Sequence, residues 1–164
     1  MGHDASVTTI MFSLKQGDSA AAEQLWTLYF DRLVSAARRK LGNASKFAAM
    51  HLEDFDPQAE RAPAHAIDDG ARGRLNKTVS LVTENFDRYE FGIAKGDVER
   101  FFWGDLCDNY LEMIKNRLYD ESEEGAASRE AARAGLYDAL HGVVRLLAPF
   151  VPHTCEAVYQ SLFR

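Results

Sequence analysis

The stretch that decides the fold is "VERFFWGDLCDNYLEMIKNRLYDESEEG", residues 98–125. Large or apolar side chains recur in it at spacings of three and four, at Trp103, Leu106, Cys107, Tyr110, Ile114 and Leu118. That period is typical of one buried face of an α-helix, and it predicts a helix from about Ile93 to Tyr119. The acidic loop that follows ends at a glycine, which stops helices. The pattern therefore indicates that most of these side chains are packed in a helix core and do not form a reactive site.

Two features of this stretch have a chemical alternative. Asp108 and Glu112 are four residues apart and could hold a metal, but a bundle site needs matching ligands on other helices, and the sequence offers none. A solvated pair with Lys115 as partner is favoured. Cys107 has no histidine near it in sequence to act as a base, so a small buried residue is the better interpretation. We predict no catalytic residue, no metal and no cofactor.

The rest of the chain also predicts helices, and no alternating strand pattern occurs. We expect them at about 7–15, 19–42, 44–52, 68–89 and 128–148, with a last one from Thr154. Residues 53–67 contain Pro57 and Pro63 and lack a period, so they form the clearest linker. The predicted fold class is all-α: an antiparallel helix bundle at 45–164 with an N-terminal helical extension at 1–44.

Composition narrows the class of protein. The 164 residues are 46% hydrophobic and 27% charged, which is typical of a soluble globular chain. Two distant cysteines, no signal-like start and no long apolar run predict a reducing cytoplasm and no membrane contact.

Charge is unevenly spread along the chain. Residues 1–46 hold six basic and four acidic side chains, a net of +2, and residues 47–164 hold thirteen and twenty-one, a net of −8. An acidic body attracts phosphate poorly, so any nucleic-acid binding must rest on a local patch.

Three local groups combine basic residues, or basic residues with aromatic ones. Single-stranded RNA loops are bound by stacking bases on aromatic rings or guanidinium groups. The alternative is that these are ordinary lysines and arginines extending from a helix surface. The candidate RNA-binding residues are Lys46, Phe47, Arg72, Arg74, Lys77, Lys115, Arg117 and Tyr119.

Four segments resemble the anticodon-binding helical domain of class I valyl-tRNA synthetases, in family order over about residues 42–164. They are "GNASKFAAMHLEDFDP", "GRLNKTVSLVTENFDRYEFGIA", "FFWGDLCDNYLEMIKNRLY" and "LLAPFVPHTCEAVYQSLF". The Cys-Asp-x-Tyr-Leu-Glu and Pro-Phe-x-Pro-His strings make the match specific. Gly42 departs from it, since the family commonly has Trp there, and "TCEAVYQ" keeps one of two adjacent acids.

This resemblance implies a function. The family domain grips the anticodon arm of a tRNA, here valine tRNA, and Lys46 stands at a basic position of its first helix. Neither the His-Ile-Gly-His nor the Lys-Met-Ser-Lys-Ser signature of the synthetase catalytic domain occurs. The resemblance therefore implies a chain that binds tRNA weakly and does not aminoacylate it.

A second resemblance lies upstream. Residues 6–44, "SVTTIMFSLKQGDSAAAEQLWTLYFDRLVSAARRKLGNA", are similar to the opening of an extracytoplasmic-function sigma factor. Only the first helices of sigma region 2 are covered, so a complete sigma activity is not expected. We expect this extension to pack through Trp26, Tyr29, Phe30 and Leu33. Two alternatives stay open: an adaptor that binds RNA polymerase, and a truncated or fused chain without activity. The oligomeric state is open too.

Overall fold

The computed structural model describes residues 7–164, without the side chains of residues 7, 8, 11, 14, 19, 22–34 and 37. These described residues form helices and no strand, which confirms the all-α prediction. The elements are α1 Val7–Lys15, α2 Ser19–Leu52, α3 Ala66–Asp87, α4 Phe91–Arg100, a π-helical segment Phe101–Tyr110, α5 Leu111–Leu118, α6 Ala126–Leu147 and α7 Pro152–Leu162. Within that part of the chain, no helix is long and apolar enough to cross a bilayer.

Contacts divide the chain into two compact units, residues 1–41 and 42–164. In the first unit, α1 has its predicted bounds, and Gly17 turns the chain with φ 83°. Asp18 Oδ1 then accepts the N–H of Ala20 at 2.9 Å, which is the expected capping of α2. The predicted packing through Trp26, Tyr29, Phe30 and Leu33 lies outside the described side chains.

Helix α2 differs from its prediction. A break was expected at Gly42, but the helix runs without interruption from Ser19 to Leu52. Glycine inside a helix costs about 1 kcal/mol relative to alanine, which does not end a helix that is otherwise favoured. Ala44, Ala48 and Leu52 are buried in the second unit, on one face of α2.

The second unit is an antiparallel bundle. Asn85 of α3 bonds to Asp97 of α4, and Asp68 bonds to Arg117 of α5, so α3 runs against the α4–α5 rod. Helix α6 packs on α3, α4, α5 and α7 and holds ten buried residues. This unit is the bundle that the sequence predicts.

The predicted helix 93–119 exists but contains a wider turn. Residues 101–110 follow a π-helical path, and the N–H of Leu111 bonds to the carbonyl of Leu106, five residues back. Because a π-helix has more residues per turn, the buried face shifts. Phe101 and Phe102 are buried, whereas Trp103 and Cys107, predicted inside, are half-buried.

The bounds of three further helices, α3, α6 and α7, also differ from the predicted ones. Helix α3 begins at Ala66, earlier than the predicted Asp68 or Asp69, and ends at Asp87. Helix α7 begins at Pro152, where a fixed φ suits the first turn and no N–H is needed. Helix α6 spans Ala126–Leu147, within two residues of its prediction at each end.

The turn after α3 carries an unusual residue. Glu90 N–H bonds to Asn85 O at 2.8 Å, the long bond of a Schellman motif. The left-handed position of that motif is held by Tyr89, with φ 61° and 80% of its surface exposed. Glycine is the usual residue there because it has no Cβ.

Candidate nucleic-acid interface

The predicted RNA-binding residues separate into two groups in the bundle. Lys46 and Phe47 lie on α2, whereas Arg72, Arg74 and Lys77 lie on α3. Lys115 and Arg117 belong to α5, and Tyr119 follows it directly. What decides their use is which side chains are exposed and which are already bound within the protein.

An aromatic row joins α2 to the end of α5. The ring centroids of Phe47 and His51 are 4.8 Å apart, and those of His51 and Tyr119 are also 4.8 Å apart, edge to face. Tyr119 is 61% exposed, and Lys46 beside Phe47 is exposed. Two segments that are remote in sequence thus meet at one surface.

Lys115 lies one helical turn before Tyr119, on the same side of α5. Its Nζ is 2.5 Å from Glu112 Oε1, the predicted partner, and its side chain stays 42% exposed. The α2–α5 surface is defined here as Lys46, Phe47, His51, Lys115 and Tyr119.

His51 is the member of this surface that sequence reasoning missed. It lies four residues after Phe47 and just before the linker, so only its helical spacing could have pointed to it. Arg133 of α6 donates its Nε–H to the His51 carbonyl at 2.6 Å, which fixes the end of α2 against α6. Burial and the charge of Arg133 lower the pKa of His51, which favours the neutral form of the ring.

Arg117 is placed differently from Lys115. Its guanidinium donates to both carboxylate oxygens of Asp68, at 2.9 and 2.8 Å, and its Nε–H donates to the Ser128 hydroxyl at 2.9 Å. The side chain is 13% exposed. We therefore leave Arg117 out of the α2–α5 surface, because its donors already hold three helices together.

The buried carboxylate of Asp68 is the centre of this network. The Tyr110 hydroxyl donates to it at 2.9 Å, and the backbone N–H of His65 donates at 3.1 Å. Gly135 of α6 leaves the room for the Tyr110 oxygen, since an added Cβ there would come within 3.0 Å of it. The network positions α5, and with it Lys115 and Tyr119.

The three predicted residues of α3, Arg72, Arg74 and Lys77, do not form one patch. Arg72 is paired with Asp69 at 3.1 Å and faces Asp138 of α6, whereas Arg74 is paired with Asp105 of the π-helical segment at 3.0 Å. The two arginines thus turn to opposite sides of α3. Lys77 is exposed and has no ion pair among the described residues.

The charge around the α2–α5 surface is mixed. Tyr119 is followed by the acidic loop 120–124, and Arg129 donates to the Asp120 carbonyl there. No group of three metal-ligating side chains occurs in the described part of the chain. The α2–α5 surface offers aromatic rings for stacking and a few cations. Such groups can hold an unpaired base and its phosphate.

Residues 42–164 form a helical bundle that carries aromatic and basic side chains together on the α2–α5 surface. The chain belongs to the family described as the anticodon-binding domain of tRNA ligase, whose model matches residues 68–164. The ECF sigma factor family matches residues 4–55. Both resemblances predicted from sequence are confirmed.

Its similar proteins are valine–tRNA ligases. The ligase of Thermococcus kodakarensis is 40% identical over 126 residues, which cover 77% of this chain and 14% of the ligase. The ligase of Symbiobacterium thermophilum is 38% identical over 125 residues, which cover 75% of this chain and 13% of the ligase. The ligase of Rickettsia felis is 34% identical over 148 residues, and the match covers 84% of this chain and 17% of the ligase.

The chain thus spans about one seventh of the length of these ligases. What it shares with them is the anticodon-binding part, which is not the part that carries catalysis. The match to the Thermococcus ligase is longer than residues 68–164, so it extends upstream into α2, where it overlaps the sigma-factor match.

Proposed function

We propose that this chain binds the anticodon arm of a tRNA, with valine tRNA as the preferred substrate, through the α2–α5 surface. The observation that carries the proposal is the row Phe47–His51–Tyr119, which exposes an aromatic edge beside Lys46 and Lys115. Anticodon bases are unpaired, and unpaired bases are held by stacking on such rings. The same function favours a place in the cytoplasm.

The charge balance predicts weak binding. The body from residue 47 onward carries a net charge of −8, and the surface contributes two lysines, one of them paired with Glu112. Few phosphates are neutralised by so few cations, so we expect a Kd on the order of micromolar or weaker at physiological salt.

A fluorescence titration of the full chain with labelled valine tRNA tests the stacking. Tyr119→Ala should weaken binding by about 5- to 150-fold, the loss measured when one stacking ring is removed. Tyr159→Ala is the matched control, because Tyr159 is also partly exposed but lies on α7, and its ring contacts are with His141 and Phe163, which do not belong to the α2–α5 surface. Equal loss in both variants would contradict the proposed surface.

The same titration at several salt concentrations tests the cations. Each lost phosphate contact lowers the slope of log K against log salt by about 0.7 for single-stranded RNA, and Lys46→Ala should show this reduction. Arg145→Ala, an exposed cation of α6, should leave the slope unchanged. If wild-type protein binds neither valine tRNA nor a non-cognate tRNA at low salt, the proposal is wrong.

The proposal includes the absence of aminoacylation. The part shared with the ligases is the anticodon-binding one, and the chain lacks both synthetase signatures. Charging of valine tRNA with radiolabelled valine by the purified chain would contradict it. Addition of a ligase that lacks its own anticodon-binding domain would show whether a catalytic partner completes the reaction.

The sigma-factor match supports a second candidate, in which residues 4–55 contact RNA polymerase. Side chains in this stretch are described only in part, so the match itself is the supporting observation. Purified core polymerase should then co-elute with the full chain and not with a chain that starts at residue 35. Absence of co-elution with the full chain would reject this candidate and leave the tRNA proposal untouched.

A further inference from the structure

A groove of about 400 Å³ lies between the first half of α3 and the π-helical segment. Its walls include Gly70 and Arg74 on one side, and Phe101, Asp105, Leu106 and Asn109 on the other. It shares no residue with the α2–α5 surface. We name it the α3–π groove.

The groove combines an apolar floor with a polar rim. Phe101 and Leu106 are buried, with 2% and 1% of their surface exposed, so the floor is apolar. At the rim, Arg74 pairs with Asp105 at 3.0 Å while its own side chain remains 69% exposed. Ligand sites typically have this composition: mostly apolar walls with a few polar groups that fix orientation.

The π-helical path shapes the polar wall. Asn109 donates from Nδ2 to the Gly104 carbonyl at 2.7 Å, five residues back, which holds its amide at the rim. Its Oδ1 accepts no hydrogen bond from the described residues. A fixed amide presents an acceptor next to a donor, the pattern that pairs with the edge of a base. π-helical turns are rare, and they occur frequently at functional sites.

We propose that the α3–π groove holds a single unstacked nucleotide, with the base against the exposed Met113 side chain and its edge at Asn109. Arg74 and the exposed Lys77, one turn apart on α3, lie on the side where the phosphate would be. This inference rests on the proposed function in that the nucleotide belongs to the bound tRNA. Free mononucleotides have the same chemistry, and the experiment separates the two sources.

Two glycines of α3 give a sharp test. An added Cβ at Gly70 or at Gly73 meets no other atom within 4 Å, so both positions accept a side chain without a clash. Gly70 lines the groove and Gly73 does not. Gly70→Leu therefore fills the groove, and Gly73→Leu is the matched control with the same change on the same helix. Both changes replace a helical glycine, so both variants should unfold no earlier than wild type.

The measurement is the Kd for valine tRNA by fluorescence titration of the full chain. Gly70→Leu should weaken binding about tenfold, which corresponds to the loss of one bound base, and Gly73→Leu should stay within twofold of wild type. Equal affinity of the two variants, with wild type binding normally, overturns the groove and leaves the proposed function standing. A wild-type chain that does not bind tRNA overturns the proposed function and the RNA source together.

NMR of 13C-methyl methionine distinguishes the sources. Met113 also lines the groove and is 51% exposed, so its methyl signal reports occupancy. AMP, CMP, GMP and UMP are added one at a time, with free valine as the non-nucleotide probe. A shift with a nucleotide in wild type and in Gly73→Leu, and not in Gly70→Leu, supports a nucleotide site for free ligand. A shift with valine alone contradicts the nucleotide assignment.

Discussion

Replacing Arg117 with methionine removes a cation and keeps most of the side-chain volume. In the native bundle this guanidinium makes two bonds to Asp68, at 2.9 and 2.8 Å, and further bonds to the Ser128 hydroxyl and carbonyl, both at 2.9 Å. Asp68 is 1% exposed, so water cannot replace the lost donors. The change leaves a buried carboxylate with two donors, from Tyr110 and from the His65 backbone.

The expected cost is large. Removing one partner of a buried ion pair destabilises a protein by about 3–5 kcal/mol, because the remaining charge stays buried and uncompensated. Asp68→Asn in the same background removes that charge and should restore part of the loss. The double variant should therefore be more stable than Arg117→Met alone, which is the sign of coupling between the two sites.

The pH dependence gives an independent readout. Burial raises the pKa of Asp68, but the Arg117 and Tyr110 hydrogen bonds, the Arg117 charge and the His65 N–H outweigh it and hold the pKa below 3.8. A pKa depressed in the folded state stabilises the fold above the unfolded pKa, and the contribution is lost as pH falls through the folded value. Without Arg117, burial dominates and the pKa rises above 3.8. The difference in unfolding free energy between wild type and Arg117→Met should then shrink as pH falls from 7 towards 4.

Urea unfolding followed by circular dichroism at 222 nm measures both effects. The midpoint and slope at pH 7 give the loss, and a series down to pH 4 gives its pH dependence. A loss below 1 kcal/mol at pH 7, or a difference that does not change with pH, would refute the reasoning. Either result would mean that Asp68 is solvated or neutral in the native protein.

Three further predictions concern single positions. Tyr89→Gly should raise the free energy of unfolding by about 1 kcal/mol, because glycine takes the left-handed φ of 61° without steric cost; an unchanged urea midpoint would argue against strain at Tyr89. Gly135→Ala should lower it by about 1–3 kcal/mol through overpacking against Tyr110, and adding Tyr110→Phe should recover part of the loss; absence of that recovery in urea melts would place the clash elsewhere. Burial raises the pKa of the Cys155 thiol to about 11, so iodoacetamide at pH 8 should alkylate it far more slowly than unfolded protein, as followed by mass spectrometry; equal rates would show that the thiol is open to solvent.

The bundle could be predicted from sequence because its core positions recur with the helical period. Leu136, Leu140 and Val143 of α6 are buried as that period requires. Prolines and glycines located the linker and the loop before α6 to within a few residues. These signals are local, and local signals determine where helices lie.

Other features depend on partners that are distant in sequence. Asp68 and Arg117 are 49 residues apart, and each taken alone reads as an exposed charge or a helix cap. Nothing in the period of residues 101–110 marks a π-helical path, because the same apolar residues also fit an α-helix. His51 was missed because its importance comes from Arg133 and Tyr119, which reach it from other helices.

The continuity of α2 has a practical consequence for anyone who expresses part of this chain. A fragment that begins at Gly42, where contacts separate the two units, keeps only about three turns of that helix. Isolated helices of that length are marginal in water and fray from a new end. Lys46 and Phe47 would lie in the first turns of the cut helix, so loss of RNA affinity in such a fragment would report fraying. A fragment that begins at Asp18 retains the carboxylate that caps α2, so it keeps the native helix start and gives a fair comparison.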